Sequence, residues 1–237
     1  MDYTYIITQF TEKFFTPPIL AITELIAIII GLKYCRKDKF AKFFIAFISF
    51  DLVILIADWW LHSNNEIPKY FSNNFIRYTN TLISIFEISA YYYFFCFAIN
   101  AKVSKLVYLV PALSYSILAS ISALISLTIL NLSRTHTSYL IYTLEQLLLL
   151  PPTILLLFQI INTNQEIPLL SRPSFWIAVG IFFQSIISIP CLLLISYFLR
   201  QKTDFMPFIE ATLYYTPLII NTLFISKAFL CKKTLTM

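Results

Sequence analysis

Seven apolar runs, each near the ~20 residues a helix needs to cross a bilayer, follow one another with only short polar stretches between them. They fall at about 18–34, 43–61, 77–99, 106–130, 138–161, 175–199 and 207–230. CRKDKFAK, HSNNEIPKYFSNNF, NAKVSK, NLSRTHT, NTNQEIPLLSRPS and RQKTD separate them, and CKKTLTM ends the sequence. In hydrocarbon a segment must satisfy its own backbone groups, so runs of this length predict helices. No linker or Gly/Ser tract marks a second domain, and seven spans use up most of the 237 residues, leaving no room among them for a soluble enzyme or kinase domain. The expectation is an all-α, polytopic bundle of seven transmembrane helices, with residues 1–237 as a single integral membrane domain.

Charge supports this. Only 12% of residues are charged and mean hydropathy is +0.77, whereas about a quarter of a soluble domain is charged. The bilayer is therefore the expected partner and solvent. The net charge of +5 needs no nucleic acid to explain it, because the basic residues flank the spans. Their asymmetry sets an orientation. With the N-terminus outside, Lys33, Arg36, Lys37, Lys39, Lys42, Lys102, Lys105, Arg172, Lys227, Lys232 and Lys233 fall inside, and Lys13, Lys69, Arg77, Arg134, Arg200 and Lys202 outside. The excess predicts N-out and C-in.

Polar residues inside the spans recur on a helical rhythm. In DLVILIADWWLH, residues 51–62, Asp51, Asp58 and His62 return to one face in steps of seven and four, with Leu55 between. The third span gives Asn80, Ser84, Glu87 and Tyr91; the fifth Ser138, Tyr142 and Glu145; the seventh Glu210, Tyr214, Pro217 and Asn221. The first carries Glu24, Ile28 and Gly31, and the sixth Gln184, Ser188 and Cys191. A carboxylate at the centre of a membrane helix costs about 2.5–3.5 kcal/mol on insertion scales, so these stripes should face the bundle interior. The fourth span has only hydroxyls, Ser114, Ser116, Ser120, Ser122 and Ser126, spread round the helix, as small residues that let helices approach closely.

Under N-out topology Glu24, Asp58, Glu145 and Glu210 lie in the outer half, with Asp51 and Glu87 nearer the middle and His62, Arg77, Arg134 and His136 at the outer rim. Convergence of so many acids predicts an outward-facing acidic pocket. Its candidate ligand-binding residues are Glu24, Asp51, Asp58, His62, Glu87, Tyr91, Glu145, Glu210 and Asn221. The alternative is that the acids bond one another, or Tyr and Ser, and only fix helix register. Spans one and five both carry a Glu one to two turns in and both contain or adjoin paired prolines, and spans three and seven carry Glu87 and Glu210. This suggests a 3+1+3 arrangement, like the parallel repeats of some transporters.

Other classes fit poorly. MDYTYIITQFTEKFF has no basic n-region and is not expected to be a cleaved signal peptide. Cys35, Cys96, Cys191 and Cys231 show no metal-ligand spacing and read as free thiols. Two histidines, His62 and His136, scarcely supply the three protein ligands of a catalytic zinc. A retinal Schiff base at Lys227 would want an Asp four residues earlier, where Leu223 stands. No nucleophile elbow or phosphate loop occurs. No catalytic residue, metal or cofactor is therefore expected, and no enzyme.

RPSFWIAVGIFFQS, residues 172–185, and the terminal NTLFISKAFLCKK resemble the seven-helix membrane sensor regions of bacterial histidine kinases, through an FW pair at the helix start and a basic stop. The resemblance covers mainly spans five to seven. It implies a multi-pass protein of a bacterial plasma (inner) membrane: a stand-alone, receptor-like sensor of an unknown small ligand whose output needs a signalling partner protein. A small transporter of a cationic solute or protons is the first alternative, favoured by Asp51 and Glu87 near the midplane. An accessory subunit of a membrane complex is the second.

Overall fold

The computed structural model describes residues 16–34, 39–63, 69–99, 106–128, 134–162, 168–201 and 206–231. Regular structure among them is helical throughout: α1 Thr16–Tyr34, α2 Lys39–Ser63, α3 Lys69–Ala98, α4 Leu106–Thr128, α5 Arg134–Asn162, α6 Pro173–Gln201 and α7 Met206–Phe229, with a 3₁₀ turn, Leu169–Ser171, before α6. Each apolar run lies on one helix. Ala41–Leu61, Thr81–Ala98, Tyr139–Asn162 and Pro173–Ile195, within α2, α3, α5 and α6, are long and apolar enough to cross a membrane. Large apolar side chains are exposed on all seven helices, among them Ile22, Val53, Phe86, Leu113, Phe158, Leu193 and Leu223. Soluble monomers rarely expose so much contiguous apolar surface, and the chain is a membrane protein.

Two boundaries differ from expectation. α3 begins at Lys69 and α5 at Arg134, so parts of YFSNNF and RTHT read as loop are helical. Asn, Ser and Thr each cost a helix no more than about 0.7 kcal/mol, too little to stop one that neighbouring apolar residues continue.

Each helix packs on the next and α7 returns to α1, which closes a ring; α3 also packs directly on α5, leaving α4 outside that pair. α1 and α2, and α6 and α7, run antiparallel, whereas α7 and α1 run parallel, with Phe229 beside Gly31 near both C-terminal ends. Gly31 near the end of α1 lies against Ile45 near the start of α2, and Gly180 in the first turns of α6 lies against Asn221 and Phe224 in the last turns of α7.

Prolines stand inside four helices, at Pro111, Pro151 and Pro152, Pro190 and Pro217. A proline has no N–H to give the carbonyl four residues before it. For Pro152 that carbonyl belongs to Leu148, and the Tyr92 hydroxyl of α3 donates to it at 2.7 Å. The defect in α5 thus becomes a tie to α3. At the C-terminal end of α5 the last carbonyls also lack helical partners, and Arg172 Nη1 donates to that of Ile160 at 2.9 Å. Trp176 Nε1 donates to the Leu170 carbonyl at 2.8 Å, which fixes the 3₁₀ turn to α6.

Three serines of α4 bond within their own helix. Ser114, Ser116 and Ser120 donate to the carbonyls of Pro111, Ala112 and Ser116 in their own helix at 2.7–2.9 Å. α4 is instead buried along Ala112, Tyr115 and Ala119. The main core is aromatic. Phe44, Tyr91, Phe94, Phe95 and Phe229 are fully buried, and the Phe44 ring lies 6.1 Å from Tyr91 and 5.9 Å from Phe94. A second, smaller cluster gathers Tyr139, Leu192 and Ile195 with Tyr142, Leu213 and Tyr214. Lys227 is exposed, with its ammonium 5.8 Å above the Trp176 ring. Cys96, Cys191 and Cys231 form no disulfide among the described residues; Cys35 lies outside them.

Candidate functional site

The site is built on one face of α3. Ser84, Glu87 and Tyr91 follow in steps of three and four, which brings them to the same side of the helix, and all three are buried. Each reaches a different neighbour. Ser84 donates to Glu145 Oε2 on α5 and is also hydrogen-bonded to the Tyr115 hydroxyl on α4. Tyr115 in turn donates to the same Glu145 oxygen at 3.2 Å. Glu87 Oε1 accepts from Gln184 Nε2 on α6 at 2.7 Å. The Tyr91 hydroxyl accepts from Asn221 Nδ2 on α7 at 2.5 Å.

Two further links bypass α3. Ser185 donates to Gln146 Oε1 at 3.1 Å, which joins α6 to α5. Glu24 and Asp51 stand close enough to interact, which brings α1 to α2.

These groups surround a cavity of about 80 Å³ between the aromatic core and the smaller apolar cluster. Its polar wall holds Asp51, Glu87, Glu145, Gln146, Gln184, Ser84, Ser188 and the tyrosines Tyr142, Tyr214 and Tyr215. Leu20, Ile54, Leu55, Ile83, Leu192, Leu213 and Leu218 supply the apolar part. No Lys or Arg lines it among the described residues. About 10–15 Å³ suffices for one water, so the cavity admits several waters or one small solute. Asp51 and Glu145 both stand close enough to Glu87 to interact with it electrostatically.

Two atoms of these lining residues are buried without a partner, Glu145 Oε1 and Gln184 Oε1. The Gln184 amide turns Nε2 to Glu87, which leaves its Oε1 over. Glu24 Oε2 and Asn221 Oδ1 are likewise unpartnered, behind the wall. Among the described residues no group of three or more His, Cys, Asp or Glu side chains could hold a metal ion.

Of the residues expected from sequence, Asp51, Glu87 and Glu145 line the cavity, while Glu24, Tyr91 and Asn221 stand behind it in the same network. Asp58 and His62 lie on α2 and Glu210 on α7, with side chains outside the described residues. Sequence reasoning missed Tyr115, Gln146 and Ser185. Tyr115 could have been found, because Ala112, Tyr115 and Ala119 mark a buried stripe by spacing alone. Compared with protein families, curated proteins and solved structures, the chain matches none.

Proposed function

We propose that the chain is a seven-span ligand-sensing module of a bacterial plasma membrane, N-out and C-in, which binds a small ligand in the acidic cavity and signals through a partner protein. One observation carries this reading: a cavity with three carboxyl groups, no basic residue among the described lining and, on two of its lining residues, buried oxygens lacking partners. Leaving a buried acceptor unpaired costs about 1–3 kcal/mol, a cost that a merely structural set of acids has no reason to bear. The wiring favours signalling. A ligand that reorganised Glu87 or Glu145 would disturb contacts from α3 to α4, α5 and α6 at once. In this reading α4, which supplies no lining residue among those described, sits between two sets of three helices.

Transport of protons or a small cation is the second reading. It is favoured by Pro190 and Pro217, which interrupt α6 and α7 within a turn of Ser188 and Leu218 on the cavity wall. Purified protein in liposomes should pass neither protons nor cations on its own. A flux that Glu87→Gln abolishes would replace sensing with transport. An experimental structure in lipid nanodiscs should show ligand density against Glu145 and Gln184. If both oxygens proved paired with protein groups, the acids would be register-fixing elements and nothing more.

A further inference from the structure

We infer that the lipid-facing seam between α6 and α7 holds an anionic glycerophospholipid, with its phosphate at Lys227 and an acyl chain along Trp176, Phe224 and Phe183. None of these residues lines the cavity. Lys227 stands in the last turn of α7. Its side chain is exposed, and its ammonium lies 5.8 Å from the centroid of the Trp176 ring. Among the described residues no hydrogen bond or ion pair occupies that ammonium. Below it the rings form a column. Trp176 stacks on Phe224 at 5.8 Å and 21°, and Phe224 on Phe183 at 5.8 Å and 9°. Gly180 makes room for the middle ring, since a Cβ there would lie 2.9 Å from Phe224 Cβ. Trp176 and Phe183 are about two turns apart, or roughly 10 Å of helix. Phe183 is exposed, as are Ile186 and Leu223 beside the seam, so the column borders lipid.

From the helix end inward the seam reads cation, indole, then two phenyl rings. A phospholipid reads in the same order: phosphate, glycerol ester, then hydrocarbon. Tryptophan belongs at the level where the two halves of a lipid meet. The indole N–H is committed to the Leu170 carbonyl, so the ammonium, with three N–H donors and no acceptor, is left to meet the phosphate. Charge selects the head group. Arg172 precedes α6 at this end, with Nη1 on the Ile160 carbonyl at 2.9 Å. No Asp or Glu stands among the described residues of 155–162, 168–180 and 222–231. In the sequence Lys232 and Lys233 follow α7 and a single acid, Glu166, precedes α6; all three lie outside the described residues. Basic side chains grouped at one end of a bundle favour anionic lipid over zwitterionic lipid.

The test uses the full chain with Trp59→Phe and Trp60→Phe, which leaves Trp176 as the one indole and hence the one reporter. It is reconstituted in phosphatidylcholine vesicles containing phosphatidylglycerol, with one lipid or the other brominated near the glycerol end of its chains. Bromine quenches tryptophan only at contact range, so the quenching gives the relative occupancy of the seam. Phosphatidylglycerol should be preferred about fivefold, which is what one basic residue beside an anionic leaflet is worth. Lys227→Gln should remove most of that preference and Lys227→Arg should keep it. Lys42→Gln, on an exposed lysine of α2, should leave it unchanged. If Lys227→Gln fails to fold, Lys227→Met is read in the same way. Equal quenching by the two lipids overturns the proposal. So does an equal loss in Lys42→Gln and Lys227→Gln, which would mean general surface charge and no site. Relief of quenching by inorganic phosphate at constant ionic strength would make this a free-anion site and sink the lipid assignment.

Discussion

Gly180→Ala should destabilise the bundle, and the structure sets the size of the effect. A Cβ at this position would lie 2.6 Å from Asn221 Oδ1 and 2.9 Å from Phe224 Cβ. The second contact matters more, because Phe224 Cβ is bonded directly to the α7 backbone and no rotamer change removes it. α6 and α7 would have to part by some tenths of an ångström, and overpacking of this kind costs about 1–3 kcal/mol. Asn221 would be pushed from its hydrogen bond to Tyr91, and such bonds between membrane helices average about 0.6 kcal/mol. Against this, alanine's better helix propensity gives back at most about 1 kcal/mol. The net expectation is a loss of about 1–2.5 kcal/mol. Gly31→Ala is the control. Its Cβ would meet Ile45 Cγ1 and Cδ1 at 2.7 and 2.8 Å and Phe229 Cδ2 at 3.1 Å, atoms that a turn about χ1 can withdraw. Equilibrium unfolding in mixed micelles, followed by circular dichroism, compares the two variants with the parent chain. If Gly180→Ala equals the parent in stability, or Gly31→Ala costs more, the close approach of α6 and α7 is not a constraint.

Tyr115→Phe should lose about 0.5–1.5 kcal/mol in the same assay, through one donor to Glu145. Ser114→Ala, on an exposed residue bonded only to its own helix, should stay within about 0.5 kcal/mol, and equal effects would refute the role given to Tyr115. Glu24→Gln removes one carboxyl from the Glu24–Asp51 pair, so stability at neutral pH should be kept or raised. A loss of 3 kcal/mol or so, the scale for breaking a buried charged pair, would show that the acid itself is needed. For topology, a reporter fused after Met237 should be active in the cytoplasm, and cysteines placed at Asn64 or Thr135 should label from outside intact cells. Labelling confined to inverted vesicles would reverse the orientation.

The helices were legible in the sequence because burial in hydrocarbon writes itself along the chain as runs of apolar residues. The interior faces were legible for the same reason in reverse. Ser84, Glu87 and Tyr91 stand out from an apolar background, and their three-and-four spacing leaves one face that can hold them. Which groups pair across helices was not legible. Nothing in the spacing of Glu87 and Gln184 relates them, because their contact depends on how α3 and α6 are placed by every other helix. Tyr115 was hidden by the serines around it, which looked like the contact surface of α4 but bond to their own backbone. The Tyr92 contact to Leu148 was hidden differently. Its cause, Pro152, was visible, but the donor that repairs the helix could have come from any neighbour.

The polar face of α3 has a consequence for how the chain comes into being. Each hydrogen-bond partner of Ser84, Glu87, Tyr91 and Tyr92 described above lies later in the sequence, at Tyr115, Glu145, Leu148, Gln184 and Asn221. Glu24 and Asp51, by contrast, can meet as soon as the first two helices have emerged from the ribosome. The growing chain therefore completes its polar contacts in a fixed order: the α1–α2 pair first, then Ser84 with α4 and α5, Glu87 with α6, and Tyr91 last with α7. Until α7 is made, the Tyr91 hydroxyl in the most aromatic stretch of α3 lacks the Asn221 partner it has in the folded bundle.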